Sequence, residues 1–273
     1  MSSSLPSSLP PALPASIETA LQLADPSWHP AIRAGLAAMM QADPAYLPEL
    51  AASAYLPTQQ RLFAAFAQPL PKVRYVLVGE GPYPRAESAT GVCFMDGAVK
   101  SLWSDEVDGG LSKAVNRATS LRNFMKMLAV ASGELDVAAT SGTAMSLLAQ
   151  RAKSEPQIRI QTLADLQQNL TDAGFLLLNA TLVFRPGVAP VKDGRAWQPF
   201  LAQILAQLAQ LTQVPGANPP LLVLWGKIAK QLEALPQLSA FPRAVSEHPY
   251  NLSFIANTDM QQLFAPLNLL RRR

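Results

Sequence analysis

The stretch that decides the fold is Val76-Leu77-Val78-Gly79-Glu80-Gly81-Pro82-Tyr83-Pro84. Its apolar beginning, Tyr75 to Val78, predicts a buried β-strand, because short apolar runs bounded by turn residues are typical of strands in a sheet core. The second half cannot extend a strand or a helix, since glycine loosens the backbone and proline removes a hydrogen-bond donor. The sequence therefore predicts a strand that ends abruptly in a rigid polar loop, which is a suitable place for a functional site.

Two further apolar runs predict strands of the same kind, at residues 175–178 and 221–225, and residues 241–245 are a candidate for a fourth strand. Helical spacing of apolar residues between them predicts longer helices at residues 120–131, 163–170 and 194–213. Short strands that are apolar on both faces and alternate with helices indicate a parallel sheet with helices on each side. We predict an α/β fold of three layers, with a central, mostly parallel four-stranded sheet flanked by helices.

The remaining segments complete the predicted organisation. Residues 1–16 are rich in serine and proline, which is typical of a disordered tail, and residues 17–273 form one predicted domain. Shorter helices are expected at residues 17–23, 28–40, 59–67 and from 228 onward, and Ser120 is expected to cap the helix at 120–131. Residues 97–120 are expected to form a long loop with one helical turn, and residues 132–145 a surface insertion.

Polar residues follow three of the predicted strands at the same end. Glu80 comes directly after the first strand, Asn179 after the second and His248 after the fourth. In a parallel sheet of this kind, ligands bind in the crevice outside the carboxyl ends of the strands. The strand pattern alone therefore predicts that these three side chains face one crevice.

Composition narrows the class of protein. The chain has 273 residues, 49% of them hydrophobic, and a formal net charge of +3, which permits a polyanionic partner without requiring one. Its single cysteine excludes an internal disulfide and a cysteine-ligated cluster, and its two histidines argue against a histidine-rich metal site. No run of about 18 apolar residues indicates a membrane span. We expect a cytoplasmic monomer that uses no metal and no cofactor.

Several segments resemble the uracil-DNA glycosylase superfamily. Gly79-Glu80-Gly81-Pro82-Tyr83-Pro84 is similar to the water-activating motif of those enzymes, usually Gly-Gln-Asp-Pro-Tyr-His. His248-Pro249-Tyr250-Asn251-Leu252-Ser253 is similar to their His-Pro-Ser-Pro-Leu-Ser loop, and Leu176-Leu177-Leu178-Asn179 to the strand that ends in their uracil-reading asparagine. Residues 55–66, 119–124 and 224–227 also resemble family segments. All of the matches occur in the family's order, which makes the resemblance specific to the superfamily.

The resemblance implies a role for each pocket residue. Such enzymes flip uracil out of DNA into a tight pocket. There Phe94 would stack on the base, and the Asn179 amide would donate to O4 and accept from N3–H, which separates uracil from cytosine. Tyr83 would crowd C5 and exclude the methyl group of thymine. His248 would hydrogen-bond O2 and stabilise the negative charge that develops as the glycosidic bond breaks.

The resemblance also implies contacts to DNA, the expected partner. Leu252 would insert into the gap that the flipped base leaves in the stack. Ser120 and Ser253, with neighbouring backbone N–H groups, would hold phosphates. The implied function is a repair enzyme that hydrolyses the N-glycosidic bond of uracil, or of a related damaged base, without a cofactor.

The departures from the family pattern concern the hydrolytic residues. The family's aspartate, which orients water and supports the sugar cation, corresponds to Gly81, which has no side chain. Glu80 replaces the motif's glutamine and Pro84 its final histidine. Sister groups that also carry a glutamate one position earlier typically bind an iron–sulfur cluster, which a single cysteine excludes here. Because a carboxylate beside the anomeric carbon is expected in glycoside chemistry, Glu80 is the best candidate to replace the aspartate.

Alternatives remain open from the sequence. Glu80 can be a turn cap, Asn179 a turn residue and His248 an ordinary surface or capped histidine, while Tyr83 and Phe94 can be packing residues. Gly81 can answer a backbone requirement; together with Gly79 it belongs to the predicted substrate-binding set. At the level of the whole chain, a non-catalytic nucleic-acid-binding relative and a protein-interaction module compete with the enzyme. Trp103, Trp197 and Trp225 are expected in the core, and residues 271–273 are expected to form a solvated basic tail.

Overall fold

A four-stranded sheet lies at the centre of the protein, in a computed structural model that describes residues 12–211 and 218–273. Its strands are β1 (Tyr75–Gly79), β2 (Phe175–Asn179), β3 (Leu221–Trp225) and β4 (Arg243–Ser246). They are arranged in the order β2-β1-β3-β4, and every neighbouring pair is parallel. The predicted α/β fold, with a parallel sheet of four strands, is confirmed.

β1, β2 and β3 are apolar on both sides because helices cover both faces of the sheet there, whereas the side chains of β4 are exposed or half-buried. Successive side chains of a strand point to opposite faces. Accordingly, Val76 and Val78 belong to one buried cluster, whereas Leu77 belongs to the other. The same alternation divides the side chains of β2 and β3, so an unbroken apolar run supplies two separate cores.

Ten helices surround the sheet within the described residues. The first core is formed with α1 (Ala15–Ala20), α2 (His29–Ala42), α3 (Tyr46–Ala52), α8 (Pro190–Gln210) and α9 (Lys227–Leu232). The second core is formed with α4 (Lys113–Arg117), α5 (Thr119–Ala131), α6 (Gly142–Ser154), α7 (Leu163–Asp172) and α10 (Thr258–Phe264). None of these helices combines the length and the apolar character that crossing a membrane requires.

Several predicted boundaries change. The helix expected at residues 59–67 is a 3₁₀ helix at Arg61–Phe66. Residues 1–11 lie outside the described residues, and α1 already begins at Ala15, inside the segment assigned to the tail. Residues 212 and 213, assigned to the long helix, also lie outside the described residues.

The segment expected to be a surface insertion at residues 132–145 was assigned wrongly at its end. α6 begins at Gly142, and Met145 is buried together with Leu148, Ala149 and Ala152. These positions follow the spacing of a buried helical face, which begins inside the segment that looked uniformly small and polar. The helices α3 and α10 were missed as well.

The prediction that Ser120 caps its helix is wrong. α5 begins at Thr119, which places Ser120 in its first turn, and Ala118 precedes it without a side-chain cap. The cap lies earlier in the chain: the Ser112 hydroxyl accepts the Val115 N–H and starts α4, which runs almost directly into α5. Ser120 is thereby free to face the sheet edge.

The three tryptophans named above are buried, as predicted. The C-terminal arginines, expected to form a solvated tail, are partly held by contacts with the domain. Arg272 donates its backbone N–H to Ile158 O at 2.7 Å, and its guanidinium lies 3.1 Å from the Asp165 carboxylate. The end of the chain is therefore held against the start of α7, although the three side chains stay exposed.

Candidate active site

The parallel register brings the polar ends of β1 and β2 together. Gly79 pairs with Asn179, and the ladder continues beyond the strands, where Thr181 donates its N–H to Glu80 O at 3.1 Å. Because this pairing fixes both chains, the loop after Gly79 and the asparagine at the end of β2 face the same crevice. The predicted meeting of strand ends is thus present at this edge of the sheet.

Asn179 presents its amide to a cavity. The residue is 5% exposed, and within the described residues its amide forms no hydrogen bond. Neither amide atom is fully buried, so the amide reaches into the cavity, where a ligand or water can complete its hydrogen bonds. Gly79 makes room for this amide, because a Cβ there would lie 2.9 Å from Asn179 Oδ1 and 2.4 Å from Cys93 Sγ.

Phe94 forms an aromatic wall of the same cavity. Its φ of +67° is rare for a bulky residue, and strain of this kind is found mostly at functional sites. The ring is held edge-on by Phe124 at a centroid distance of 5.4 Å and by Trp225 at 5.3 Å. The strained backbone and the two aromatic neighbours together fix the plane of the Phe94 ring.

The cavity between these groups has a volume of about 300 Å³. Tyr83 is half-buried in its wall, and burial raises the pKa of its phenol, which therefore stays neutral. Burial also raises the pKa of the Cys93 thiol to about 12, so this thiol acts as an apolar group. Other residues that line the cavity include Glu80, Gly81, Ser120, Trp225 and His248.

His248 enters the cavity from the loop after β4 with one tautomer favoured. The Tyr250 N–H donates to its Nδ1 at 3.1 Å, so in the neutral ring Nδ1 is the acceptor and Nε2 carries the proton. Desolvation by the surrounding walls lowers the pKa of His248, while the negative charge of Glu80 acts in the opposite direction. The ring is therefore prepared to donate one hydrogen bond from Nε2 while it is uncharged.

Gly226 supports the position of the histidine. It has a φ of +65°, which favours glycine, and a Cβ there would lie 2.9 Å from His248 Cβ. The glycine that ends β3 thus lets the loop after β4 approach closely. This contact explains why a glycine follows the apolar run of β3.

A second cavity, of about 600 Å³, lies on the other side of Glu80 and Gly81. The Glu80 side chain is exposed and lines both cavities. A Cβ added to Gly81 would only touch Thr181, at 3.6 Å from its carbonyl oxygen and 3.7 Å from its Cβ. The space beside Gly81 therefore admits a β-carbon at ordinary contact distance.

Of the three predicted DNA-contacting residues, one lines the cavity, and the other two lie on the exposed segment a few residues after His248. Leu252 is 69% exposed at the start of the 3₁₀ helix Leu252–Ala256, and Ser253 follows it at the surface. Ser120 lines the cavity itself.

Two residues near the site escaped the sequence analysis. Trp225 was placed only in the core, yet it also lines the cavity and supports Phe94. Asn123 was quoted in a matched segment without a role, although it is fully buried and contacts the loop of His248. Its position on the apolar face of α5 was the available signal, because a buried asparagine needs partners.

The fold and the cavity define a class of protein. It is an α/β protein with a cavity at the carboxyl edge of a parallel sheet, lined by an aromatic ring, an asparagine amide and a histidine. Among the described residues, no group of three or more histidine, cysteine, aspartate or glutamate side chains is arranged to hold a metal ion.

Comparisons with known proteins agree with this class. The chain is 30% identical over 207 residues to the uracil-DNA glycosylase of Nocardioides sp., a match that covers 75% of this chain and 70% of the relative. It is 26% identical over 258 residues to that of Leuconostoc mesenteroides, covering 91% and 93% of the two chains. No known family profile matches the chain.

Solved structures extend the likeness to the fold. The wild-type UNG of Nitratifractor salsuginis superposes with a TM-score of 0.83 and 36% identity, and the match covers 94% of this chain and 97% of that one. The mimivirus uracil-DNA glycosylase shares the fold at a TM-score of 0.51 and 16% identity. The chain belongs to the uracil-DNA glycosylase family.

Proposed function

We propose that this protein removes uracil from DNA by hydrolysing the N-glycosidic bond. One observation carries the proposal: Asn179 is buried at the end of β2 with an amide that has no partner among the described residues and faces a cavity of about 300 Å³. A flipped uracil would supply both missing hydrogen bonds. Similarity to proteins named uracil-DNA glycosylase supports the same ligand.

The proposed base selection follows from the groups around the cavity. The Asn179 amide donates to uracil O4 and accepts from N3–H, whereas cytosine presents a donor at position 4 and an acceptor at N3. Phe94 stacks on the base, and Tyr83 occupies the space that a methyl group on C5 would need. The few kcal/mol needed to extrude the base are recovered from these contacts and from those to the DNA backbone.

The proposed chemistry divides between two residues. As the bond from C1′ to N1 breaks, its electron pair passes to the uracil ring, and His248 Nε2–H donates to O2. Glu80 stabilises the developing sugar cation and accepts a proton from the water whose oxygen bonds to C1′. That proton then passes to solvent. Leu252 fills the gap in the base stack, and Ser120 and Ser253 hold phosphates.

A second candidate is a protein that binds flipped bases in DNA without hydrolysing them. The observation that favours it is the open space beside Gly81, where the family pattern carries the aspartate. In this alternative the recognition residues remain useful, since a base still occupies the cavity. Glu80 would then have no part in chemistry.

Release of labelled uracil from single- and double-stranded oligonucleotides decides between the candidates. We expect release by the wild type, a loss of about 10²–10³-fold in kcat for His248→Ala, and little change for His29→Ala, which serves as the control. No release, combined with binding that weakens steeply as salt rises, would establish the binding protein instead. A flat salt response with no release would favour a protein-interaction role.

Base selection has its own test in Asn179→Asp. The aspartate loses the donor to O4, and in its protonated form it can pair with cytosine, so we expect discrimination against cytosine to fall. The measurement compares kcat/KM for matched uracil and cytosine oligonucleotides. Unchanged rejection of cytosine by an active variant would remove Asn179 from the role of base reader.

A further inference from the structure

We propose that Asn123 is a positioning residue, which fixes the place and the tautomer of His248 through the backbone of the loop that carries it. The inference rests on the proposed uracil excision for its kinetic consequence, while its structural consequence can be measured without any activity. Asn123 lies on α5, far from His248 in sequence, and its side chain does not line the base cavity.

The contacts of Asn123 run from one amide to three backbone carbonyls. Its Nδ2 donates to Pro249 O at 2.7 Å and lies 3.3 Å from Tyr250 O and 3.4 Å from Asn251 O. Its Oδ1 accepts from Arg122 Nε at 3.3 Å. The side chain is 0% exposed, so water does not replace these bonds without opening the core.

The same loop turns its N–H groups toward the histidine. The Tyr250 N–H donates to His248 Nδ1 at 3.1 Å, and the Asn251 N–H donates to His248 O at 2.9 Å. Because a peptide group is planar, a carbonyl held by Asn123 restricts the direction of the N–H in the same peptide. Pro249 O belongs to the peptide whose N–H is that of Tyr250, so the shortest contact of Asn123 orients the donor to Nδ1.

This chain of contacts determines which nitrogen of His248 carries the proton. If the Tyr250 N–H turned away, Nδ1 would lose its donor, and the two neutral tautomers would become closer in energy. A ring protonated at Nδ1 presents a lone pair instead of a donor from Nε2. It cannot stabilise negative charge on O2, which is the step assigned to His248 above.

The helix that carries Asn123 holds the opposite wall as well. Phe124, the next residue, meets Phe94 edge-on at 5.4 Å, and Ser120 lines the cavity one turn earlier. One rigid helix therefore sets the separation between the aromatic wall and the histidine loop. Such precision matters because a displacement of about 1 Å can cost a large factor in rate.

The test uses Asn123→Leu and Asn123→Asp with Asn169→Leu as the matched control. Asn169 is also buried, and its Nδ2 donates to Leu269 O at 2.8 Å and Arg271 O at 2.6 Å, which are carbonyls of the C-terminal segment. Leucine removes the donors, and aspartate keeps the acceptor for Arg122 while removing them. If Asn123→Leu does not fold, Asn123→Asp provides the same test of the positioning role.

For uracil release, we expect both Asn123 variants to lose at least about 10-fold in kcat with a small change in KM. The loss is bounded by the roughly 10²–10³-fold cost of removing an electrostatic donor altogether. Asn169→Leu should lose thermal stability and keep its kcat. Equal losses of kcat in the Asn123 variants and the control would overturn the positioning role.

The second measurement is nitrogen NMR of the imidazole rings, which is simple because the chain contains only two histidines. We expect a protonated Nε2 and an unprotonated Nδ1 for His248 in the wild type and in Asn169→Leu, and a mixture in the Asn123 variants. His29 provides the unchanged internal reference. An unaltered His248 spectrum in folded Asn123 variants would overturn the inference.

The experiments distinguish failure of the proposed uracil excision from failure of the positioning role of Asn123. A wild type that releases no uracil overturns the proposed function, yet a tautomer change in the Asn123 variants would still support the positioning role. A wild type that releases uracil, with Asn123 variants that match it in rate and in the His248 spectrum, leaves the function standing and removes the inference.

Discussion

Gly79 ends β1, Gly81 lies two residues later in the loop that follows, and the surroundings of the two glycines differ. A Cβ at Gly79 would collide with Cys93 Sγ and Asn179 Oδ1, at 2.4 and 2.9 Å. A Cβ at Gly81 would meet Thr181 only at ordinary contact distances of 3.6 and 3.7 Å. Close packing requires the first glycine, beside the residues proposed to read the base (the recognition side), whereas the second borders open space beside Glu80, the residue proposed for hydrolysis (the hydrolytic side).

The contrast between the two glycines shows that one half of the site is closely packed and the other is open. On the recognition side, Phe124 holds the ring of the strained Phe94, and the Tyr250 N–H orients His248. On the hydrolytic side, the exposed carboxylate of Glu80 lines both cavities. Because the residues around the base cavity are held in place, we expect specific binding of the base. Because Glu80 is the carboxylate proposed for hydrolysis, we expect catalysis to depend on it.

The largest effect on kcat is expected from Glu80→Gln, which removes the carboxylate proposed for hydrolysis and leaves the base-binding residues unchanged. Loss of the carboxylate removes both charge stabilisation and a proton acceptor, so we expect kcat for uracil release to fall by about 10²–10⁴-fold. Affinity for uracil-containing DNA should change little. The control is Glu87→Gln, an exposed glutamate in the same loop region. Equal losses of rate and affinity would show that Glu80 serves binding.

Gly79→Ala and Gly81→Ala test the packing contrast directly. Overpacking at position 79 should lower the free energy of unfolding by about 1–3 kcal/mol and displace the Asn179 amide, which weakens uracil binding. At position 81, alanine fits, and the free energy of unfolding should stay the same or rise by up to about 1 kcal/mol. Chemical denaturation measures both. Similar losses in the two variants would abolish the distinction between the two sides.

Gly81→Asp sharpens the comparison by adding the side chain that the family pattern carries. The Cβ of the new side chain would meet Thr181 only at ordinary contact distance, and we expect kcat to rise, by roughly 10-fold, through better orientation of water. Gly81→Asn, which has the same shape without the charge, is the control. The idea of an unfilled hydrolytic side would be wrong if the aspartate variant were no faster than the asparagine variant.

The smallest expected effect is the change of folding stability with pH that the ionisation of His248 causes. Desolvation lowers the pKa of folded His248 below its usual value of 6.5. As pH falls through about 6.5, the unfolded chain therefore binds a proton first, and folding stability decreases until the pH passes below the folded pKa. The neutral imidazole also persists to more acidic pH in the folded protein.

Because the charge of Glu80 raises the pKa of His248, Glu80→Gln should lower that pKa further. An NMR titration of His248 in both proteins measures the shift, with His29 as the reference in the same spectrum. An identical titration in the two proteins would mean that Glu80 does not act on His248. A pKa that rises in the variant would contradict the stated direction.

Much of the fold could be predicted from local pattern. β1, β2 and β3 were found because each is a short apolar run bounded by turn residues, and runs that are buried on both faces are typical of a parallel sheet. β4 begins two residues later than predicted, at Arg243, and its side chains are exposed or half-buried. α6 was missed because its buried face starts within a polar segment, at Met145. The cap at Ser120 was misplaced because α4 precedes α5 almost without a break.

The sequence by itself determined the strands, the residues at their carboxyl ends and their order along the chain, since these depend on neighbouring residues and on the general geometry of parallel sheets. Only the tertiary structure decided which glycine is packed and which is open, that Phe94 is strained between Phe124 and Trp225, and that Asn123 holds the loop of His248. The physical reason is distance along the chain. Asn123 and Pro249 are 126 residues apart, and no local pattern specifies which carbonyl a buried amide will meet.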